Sequence, residues 1–587
     1  MKFPINYQDK SFTLIEVLLS LAIIALISTF IFSLFQNVNR ILASARINLQ
    51  IISALQDEIE KIKVLKYEDV GIQGSWPPGI LPKEKIIEKG GLQIKVTFYI
   101  RNIDDPKDGT ITSTPRDTAP ADYKLVELEG ECLNCSLPIK KQVLTTYIAP
   151  KTVEALTRNG SMFIQVINAE GKPVANASVK VDYLNSPQFT IQDITDNLGI
   201  LRLIDIPPGI NAYSIYVTKS GYSFDRTYQP GTQETPNPIL PHQTVRAGEL
   251  TTVTLQIDLL SKLKIKTHNI FCQPLSFAQF NLKGTKLINF DPPKSKTDIT
   301  TTTDENGFKE LNVEFDNYYL TITDSRYVLR SSQPFLEEPF EVKPNSNYFY
   351  DLTLSSRSPI NLLVSVVDEA GNYLNGANVR VTKNVNEYWE KTTGEETIVN
   401  NTWNNSYDSL SLGIDPDSNP EILKLKDLGG FYSTSTEWLV SKTIDLGTST
   451  TAFKKFSWVG NKPPGTSIKF QVSANNDNLT WNFIGPDGTS NSYFEDSEFN
   501  LPSTLNNNRY FRYKVYLQTN DPSVTPSLDK ISLSFYSSCF SSGEVLFENL
   551  PPGEYNLEVT KPGYFFYNKT IILSDEEFYH EKVILTP

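Results

Sequence analysis

The feature that most constrains this chain is an apolar run close to its N-terminus. The run extends over 24 residues, from Phe12 to Phe35, and Glu16 is its single charged side chain. A helix rises about 1.5 Å per residue, so this run makes a helix of about 36 Å, which is longer than the roughly 30 Å hydrocarbon core of a bilayer. It therefore predicts a membrane-spanning helix. An acid inside such a helix costs a few kcal/mol, so Glu16 is expected to be paired or functional.

A short polar leader, residues 1–11 (MKFPINYQDKS), precedes the run, and the string FTLIE follows it at residues 12–16. These residues resemble the N-terminus of type IV prepilins and pseudopilins. The resemblance implies that a prepilin peptidase cuts between Ser11 and Phe12, that the new amine of Phe12 is methylated, and that Glu16 pairs with the amine of a neighbouring subunit during assembly. The family has Gly where this chain has Ser11. The alternative is a plain signal anchor in which Glu16 lies near the membrane edge.

The helical pattern continues beyond the span. Apolar residues recur at spacings of three and four from Ile41 to Leu65, so the helix is expected to reach about residue 66. Three strand-like segments follow and give this stripe a sheet to pack on, as the resemblance to pilins implies. These segments are residues 93–101, 123–128 and 142–149.

Internal repetition is visible beyond residue 160. Residues 163–181 and 362–381 share an alternating strand, a turn with an acid and Gly, and a second alternating strand. Pro-Pro-Gly turns at 207–209 and 551–553 each precede a matching strand that ends in Gly-Tyr. These units resemble the carboxypeptidase regulatory-like and collagen-adhesin B-type β-sandwiches, which implies prealbumin-like folds that act as spacers and binding scaffolds.

The predicted fold class is mainly β, with several domains after a long N-terminal transmembrane helix and a pilin-like α+β head. The third repeat is interrupted by an inserted, jelly-roll-like sandwich. The predicted domains are a leader (1–11), a pilin-like domain (12–150, with a transmembrane helix at about 12–35), a regulatory-like β-sandwich (160–260), a degenerate β-sandwich of the same type (261–357), a third such sandwich (358–389 with 538–587) and the insert (390–537).

Aromatic residues at strand positions of the insert have two interpretations. They fill the core, or they form a surface on which sugars stack. The residues concerned are Trp438, Trp458, Trp481 and Phe511.

The four cysteines do not form a disulfide scaffold in a chain of this length. Cys132 and Cys135 form an isolated Cys-x-x-Cys, which predicts a small local disulfide, with a redox role as the alternative. Cys272 and Cys539 lie far apart and are predicted to be small buried apolar residues.

The net charge of −13 argues against binding to nucleic acid, which depends on clustered Lys and Arg. Lys262, Lys264 and Lys266 share one strand face, which is interpreted as a solvated face rather than a basic patch. The acids in the loop at 103–109 belong either to a solvated turn or to a cation site.

No catalytic motif occurs, and His242, His268 and His580 are isolated in the sequence. The chain is therefore predicted to be non-enzymatic, without catalytic residues, metal or cofactor.

The predicted function is a minor pilin-like subunit, an adhesion or tip component of a type IV pilus-like filament. The alternative is a pseudopilin-like component of a secretion or DNA-uptake machine. The predicted partners are the prepilin peptidase, other pilin or pseudopilin subunits, the membrane, and a glycan or other surface ligand. The single-pass chain is expected in the inner membrane before assembly and at the cell surface afterwards.

The first testable prediction concerns processing. The mature chain should begin at Phe12 with a methylated amine, because the FTLIE string follows directly after Ser11. Mass spectrometry of the N-terminal peptide from native envelopes measures this. Recovery of most molecules with Met1 intact would favour the signal-anchor alternative.

Overall fold

The computed structural model describes residues 13–151, 158–384, 387–574 and 578–587. Its internal contacts divide the chain into two units. The first comprises the residues up to 259 together with 288–294, and the second comprises 260–287 and the residues from 295 onward. One long helix precedes many strands, which confirms the predicted, mainly β fold class.

The first unit begins with the helix α1, Leu14–Lys63. Residues 14–42 are exposed along their whole length, and among the described residues α1 is the one helix long and apolar enough to cross a membrane. Farther along, the helix buries one face because a sheet lies against it. The buried apolar residues of this face are Ile51, Ala54, Leu55, Ile59 and Ile62.

The sheet against α1 is antiparallel, in the order β1-β2-β3-β4. Gly130 in β3 permits the close approach, since a Cβ at this position would lie 2.6 Å from Ile51 Cγ2. Cys132 and Cys135 are joined in a disulfide at the end of β3. The strands are β1 (Glu84–Lys89), β2 (Leu92–Ile103), β3 (Tyr123–Cys132) and β4 (Gln142–Ile148).

A β-sandwich completes the first unit. One sheet has the order β12-β5-β8, and the other has the order β10-β9-β6-β7 with β11 on β9. The strands are β5 (Gly160–Ile167), β6 (Ser178–Tyr183), β7 (Phe189–Ile194), β8 (Ile200–Ile206), β9 (Gly209–Thr218), β10 (Asp225–Arg226), β11 (Gln243–Val245) and β12 (Leu250–Gln256).

Specific contacts hold this sandwich against the α1-packed sheet. The Arg101 guanidinium binds both carboxylate oxygens of Asp193, whose side chain is only 7% exposed. Trp76 Nε1 donates to Asp205 O at 2.8 Å, and the Trp76 ring lies 5.4 Å from that of Phe189. A bidentate ion pair and an aromatic contact therefore fix the module to the head within this unit.

The second unit begins with another sandwich, whose sheets are β18-β13-β22-β20 and β17-β14-β19-β21. The strands of this sandwich are β13 (Ser261–His268), β14 (Gln279–Gly284), β17 (Asp298–Thr302), β18 (Phe308–Val313), β19 (Asp316–Ile322), β20 (Tyr327–Gln333), β21 (Phe340–Val342) and β22 (Asn347–Ser356). The short pair β15 (Leu287–Asn289) and β16 (Lys294–Ser295) interrupts this stretch, and its residues 288–294 belong to the first unit.

The third sandwich is assembled from two separate stretches of chain. Its sheets are β37-β23-β40 and β25-β24-β38-β39, so each sheet combines strands from before and after the insert. The strands are β23 (Asn361–Val367), β24 (Asn378–Asn384), β25 (Glu387–Thr392), β37 (Glu544–Glu548), β38 (Gly553–Thr560), β39 (Tyr567–Leu573) and β40 (Phe578–Ile584).

The insert forms two sheets of its own, β28-β29-β36-β32-β34 with β26 on β36, and β27-β30-β35-β31 with β33 on β35. The strands are β26 (Glu396–Asn400), β27 (Tyr407–Leu410), β28 (Ile414–Asp415), β29 (Leu423–Leu425), β30 (Glu437–Ser441), β31 (Ile444–Asp445), β32 (Ala452–Asn461), β33 (Thr466–Asn475), β34 (Glu498–Asn500), β35 (Tyr510–Thr519) and β36 (Ser527–Tyr536).

The three repeated modules share one strand pairing. In each, the first strand pairs in parallel with the last: β5 with β12, β13 with β22, and β23 with β40. Each module also buries a tyrosine whose hydroxyl donates to a backbone carbonyl of the preceding turn. These bonds join Tyr213 to Pro207, Tyr318 to Glu314 and Tyr555 to Pro551. The repetition seen in the sequence therefore corresponds to one repeated topology.

The prediction for Cys272 and Cys539 is wrong, because the two form a disulfide within the second unit. The turn that carries Cys272 packs against the hydrophobic core of the insert, to which Cys539 also belongs. A buried ion pair supports the same junction, since Arg330 of β20 is 2% exposed and its Nη2 lies 2.8 Å from Glu396 Oε2 in β26. The insert is therefore tied to the second sandwich as well as to the third.

The second prediction tests this disulfide. It closes a loop of 267 residues, whereas the Cys132–Cys135 disulfide spans a separation of three. Replacing Cys272 and Cys539 with Ala should lower the free energy of unfolding of the second unit by about 2–4 kcal/mol, because the unfolded chain gains freedom.

Denaturant unfolding of the full chain in detergent, followed by tryptophan fluorescence, measures this loss. Five of the six tryptophans lie in the second unit, Trp76 being the exception. Replacing Cys132 and Cys135 with Ala is the matched control and should leave that transition unchanged. Equal transitions for all three proteins would show that the long disulfide contributes nothing to stability.

Candidate functional site

Of the three residues predicted from the prepilin resemblance, the cleavage and methylation residues Ser11 and Phe12 lie outside the described residues. The third, Glu16, lies in the first turn of α1, where it forms a capping box with Thr13. The Thr13 backbone N–H donates to Glu16 Oε2 at 3.0 Å, and the Glu16 N–H donates to Thr13 Oγ1 at 3.4 Å. Two backbone donors that a helix start leaves unsatisfied are thereby satisfied.

This geometry gives Glu16 a partner within its own chain at the start of the apolar segment. The carboxylate lies back toward the N-terminal end of the helix, where the helix dipole favours a negative charge. The capping box therefore fixes the orientation of the Glu16 carboxylate.

The insert separates its aromatic residues into two groups. Trp458 is 8% exposed and Phe511 is fully buried, so both belong to the core. Trp438 and Trp481 are half-buried and lie on the outer side of the sheet that contains β35. Core packing accounts for the first pair, whereas a surface remains the interpretation for the second.

The outer side of this sheet combines rings with basic side chains, and we call it the aromatic–cation face. Lys514 Nζ lies 4.4 Å from the Trp438 ring centroid and 5.0 Å from that of Tyr516. The Tyr493 ring meets Tyr516 edge-on at 5.1 Å. The face comprises Trp438, Trp481, Tyr493, Tyr516, Lys469, Arg512 and Lys514.

Strand alternation explains why these residues share a face. Along β35 the buried positions Phe511, Tyr513 and Val515 alternate with the half-buried Arg512 and Lys514. Side chains at every second position point to the same side of a sheet, so the basic residues all project outward. Trp481 and Tyr493 reach the face from the loop at 476–497, between β33 and β34.

The basic side chains of the face differ in their partners. Arg512 Nη1 lies 3.2 Å from Asp408 Oδ2, and Lys469 Nζ lies 2.9 Å from Glu495 Oε1. For Lys514, no carboxylate among the described residues lies within the 4.0 Å of a salt bridge. Burial lowers the pKa of the Lys514 ammonium.

The lysines of β13 are paired with acids. Lys262 Nζ lies 2.9 Å from Glu310 Oε1, and Lys266 Nζ lies 3.4 Å from Asp351 Oδ2. Such neutralised, partly exposed pairs fit a solvated strand face rather than an anion-binding patch.

The acids of the loop at 103–109 bind backbone N–H groups. Asp104 Oδ2 accepts from Ile111 N at 2.9 Å, and Asp105 Oδ1 accepts from Lys107 N at 3.1 Å. Such bonds are typical of turns. In the described part of the chain, no group of three or more His, Cys, Asp or Glu side chains is arranged to hold a metal ion.

At the junction of the second and third sandwiches, a buried serine forms hydrogen bonds to a histidine and a glutamate, as a catalytic nucleophile does to its base. Ser365 Oγ lies 2.8 Å from His580 Nε2 and donates to Glu544 Oε1 at 2.6 Å. Ser365 is fully buried and Glu544 is 1% exposed, so a substrate has no access to the hydroxyl. Ser332 N of β20 also donates to Glu544, at 2.9 Å. The group joins two modules rather than forming an open active site.

A family model described as the prokaryotic N-terminal methylation motif matches residues 7–32. No curated protein matches the chain.

Several solved structures are similar to it. The Bacillus anthracis TIE protein is 13% identical over 86% of this chain and 73% of its own, with a TM-score of 0.16. GBS52, the minor pilin of Streptococcus agalactiae, is 13% identical over 34% of this chain and 96% of its own, with a TM-score of 0.19. The shaft pilin SpaA of Lactobacillus rhamnosus GG is 12% identical over 34% of this chain and 98% of its own, with a TM-score of 0.14. TM-scores of this size support no argument about this chain.

The methylation motif therefore coincides with the apolar half of α1 and with the capping box of Glu16. β-Sandwich modules follow this helix in both units. The chain therefore combines a prokaryotic N-terminal methylation motif, on a helix long and apolar enough to cross a membrane, with a series of β-sandwich modules.

Proposed function

We propose that this protein is a minor pilin-like subunit that acts as a non-enzymatic adhesion component at the tip of a type IV pilus-like filament. The methylation motif implies processing by a prepilin peptidase and assembly with other pilin subunits through α1. The β-sandwich modules then lie outside the membrane, and the cell surface is the final location.

The observation that carries this proposal is the amount of chain that follows the pilin-like part. About 430 residues in three repeated modules and an insert follow the sheet that packs on α1. Domains of 100–150 residues are typical, so each subunit brings the volume of several domains to the filament. Repetition of that volume along a helical shaft would crowd it, whereas one copy at an end has free space. We therefore expect few copies of this subunit in each filament, located at the filament tip.

The buried Ser365 supports the non-enzymatic part of the proposal. The half-exposed aromatic–cation face supports the adhesive part, because aromatic side chains and Arg are enriched at binding surfaces.

Immunogold labelling of native cells tests the position. Label should lie at filament ends, in one or a few particles per filament. Label along the whole shaft would contradict the low copy number, and label confined to the envelope would favour the pseudopilin-like role in secretion or DNA uptake.

The prediction for Glu16 tests the assembly contact. Glu16→Val should insert into the membrane as well as the native chain, because it removes a charge from the apolar segment. Its incorporation into filaments should fall about tenfold or more, since a tenfold loss corresponds to only about 1.4 kcal/mol of lost pairing. Quantitative blotting of sheared filaments against whole membranes measures this ratio.

Glu16→Gln is the matched control for the capping box. Gln serves at the same capping position as Glu, so this variant keeps the box and loses only the charge. If charge pairing drives assembly, the Gln variant should be as defective as the Val variant. Native incorporation of the Gln variant would show that helix capping, rather than charge, is the contribution of Glu16.

A further inference from the structure

The aromatic–cation face contains one basic side chain without an acidic partner in the described part of the chain. Arg512 and Lys469 are each neutralised by a carboxylate, at 3.2 and 2.9 Å. Lys514 instead lies between the rings of Trp438 and Tyr516. Its ammonium is the charge of this face that remains available to a ligand.

The environment of Lys514 favours an anion. Burial against two rings removes part of the water around the ammonium, and for this reason the pKa of Lys514 is lowered. Charges that lose water are normally paired in proteins. A cation–π contact at a partly exposed site makes up for only a small part of the lost hydration. An incoming carboxylate or sulfate therefore gives the Lys514 ammonium the anionic partner that the protein does not itself supply.

The rings beside Lys514 define an extended surface. Trp438 and Tyr516 are directly opposite each other on β30 and β35, and Tyr493 continues the row beyond Tyr516. Neighbouring strands are about 4.8 Å apart and the ring centroids of Tyr516 and Tyr493 are 5.1 Å apart, so the three rings extend over about 10 Å. Polar atoms accompany it, since Tyr516 OH donates to Gln471 Oε1 at 2.7 Å.

We propose that the aromatic–cation face binds an acidic saccharide, with the anionic group of one sugar at Lys514 and the sugar rings along Trp438, Tyr516 and Tyr493. The inference rests on the proposed adhesive function and names its ligand class. Sugar rings present flat faces of C–H groups, which pack on aromatic rings, and hydroxyls, which bond to amides and phenols.

The charge pattern favours this ligand over other polyanions. A nucleic acid carries a phosphate at every residue and needs several uncompensated basic side chains. Here the neighbouring basic residues are already paired, and the net charge of the chain is −13. A ligand whose charges are isolated among neutral ring surfaces fits one available ammonium flanked by aromatic rings.

The insert provides a matched control for Lys514. Lys454 of β32 lies over the ring of Tyr536 of β36, with Nζ 4.7 Å from the centroid, on the other sheet. It has the same charge and the same kind of ring contact, but it lies away from the aromatic–cation face.

The full-length chain in detergent should be tested against immobilised neutral, uronate-containing and sulfated oligosaccharides, a single-stranded oligonucleotide and an acidic peptide. The native chain should retain uronate-containing or sulfated saccharides, and the member of this pair that it prefers identifies the anion. Lys514→Gln should weaken this binding at least tenfold, Lys514→Arg should weaken it less, and Lys454→Gln should leave it unchanged. Circular dichroism of each variant verifies folding.

Four outcomes would overturn the proposal. They are no retention of any acidic saccharide by the native chain, equal retention of neutral saccharides, equal losses for Lys514→Gln and Lys454→Gln, and preference for the oligonucleotide or the peptide. The filament position does not enter this assay. A chain that binds acidic saccharides but is confined to the envelope would refute the tip role alone.

Discussion

The parallel pairing of the first and last strands is the constraint on which the modular part of this protein depends. It joins β23 to β40 across an intervening insert of about 150 residues just as it joins β5 to β12 in an uninterrupted copy. Because the pairing closes the module from its two ends, the connection between the inner strands is free to lengthen. Loop-closure entropy grows only slowly with length, so a whole domain is accommodated there at small thermodynamic cost.

Much of this organisation is predictable from local pattern. Alternation over residues 362–381 identifies strands. The repeated Pro-Pro-Gly turns show from the sequence alone which strands of the modules correspond. The apolar run that contains Glu16 likewise identifies the membrane helix, because 24 such residues are long enough to cross a bilayer. The capping box with Thr13 is also visible in principle, as Thr followed three residues later by Glu.

Other features depend on tertiary approach and have no local signal. Cys272 and Cys539 are 267 residues apart, and only the packing of one turn against the core of the insert brings them together. Strand alternation alone places Phe511 and Lys514 on opposite sides of the sheet, because the two lie an odd number of residues apart. Alternation does not place Trp481, because this residue lies in a loop whose path over the sheet the sequence does not determine.

The long disulfide has a mechanical consequence. If the proposed ligand binds at β35, tension applied to it reaches Cys539 within a few tens of residues and then crosses directly to Cys272, close to the start of the second unit. The covalent path thus bypasses most of the second sandwich and the opening strands of the third. An unfolded residue adds up to about 3.5 Å of length, so a loop of this size holds back several hundred ångströms of extension. In the proposed adhesive role, we therefore expect the chain with this disulfide intact to extend less under load than the reduced chain.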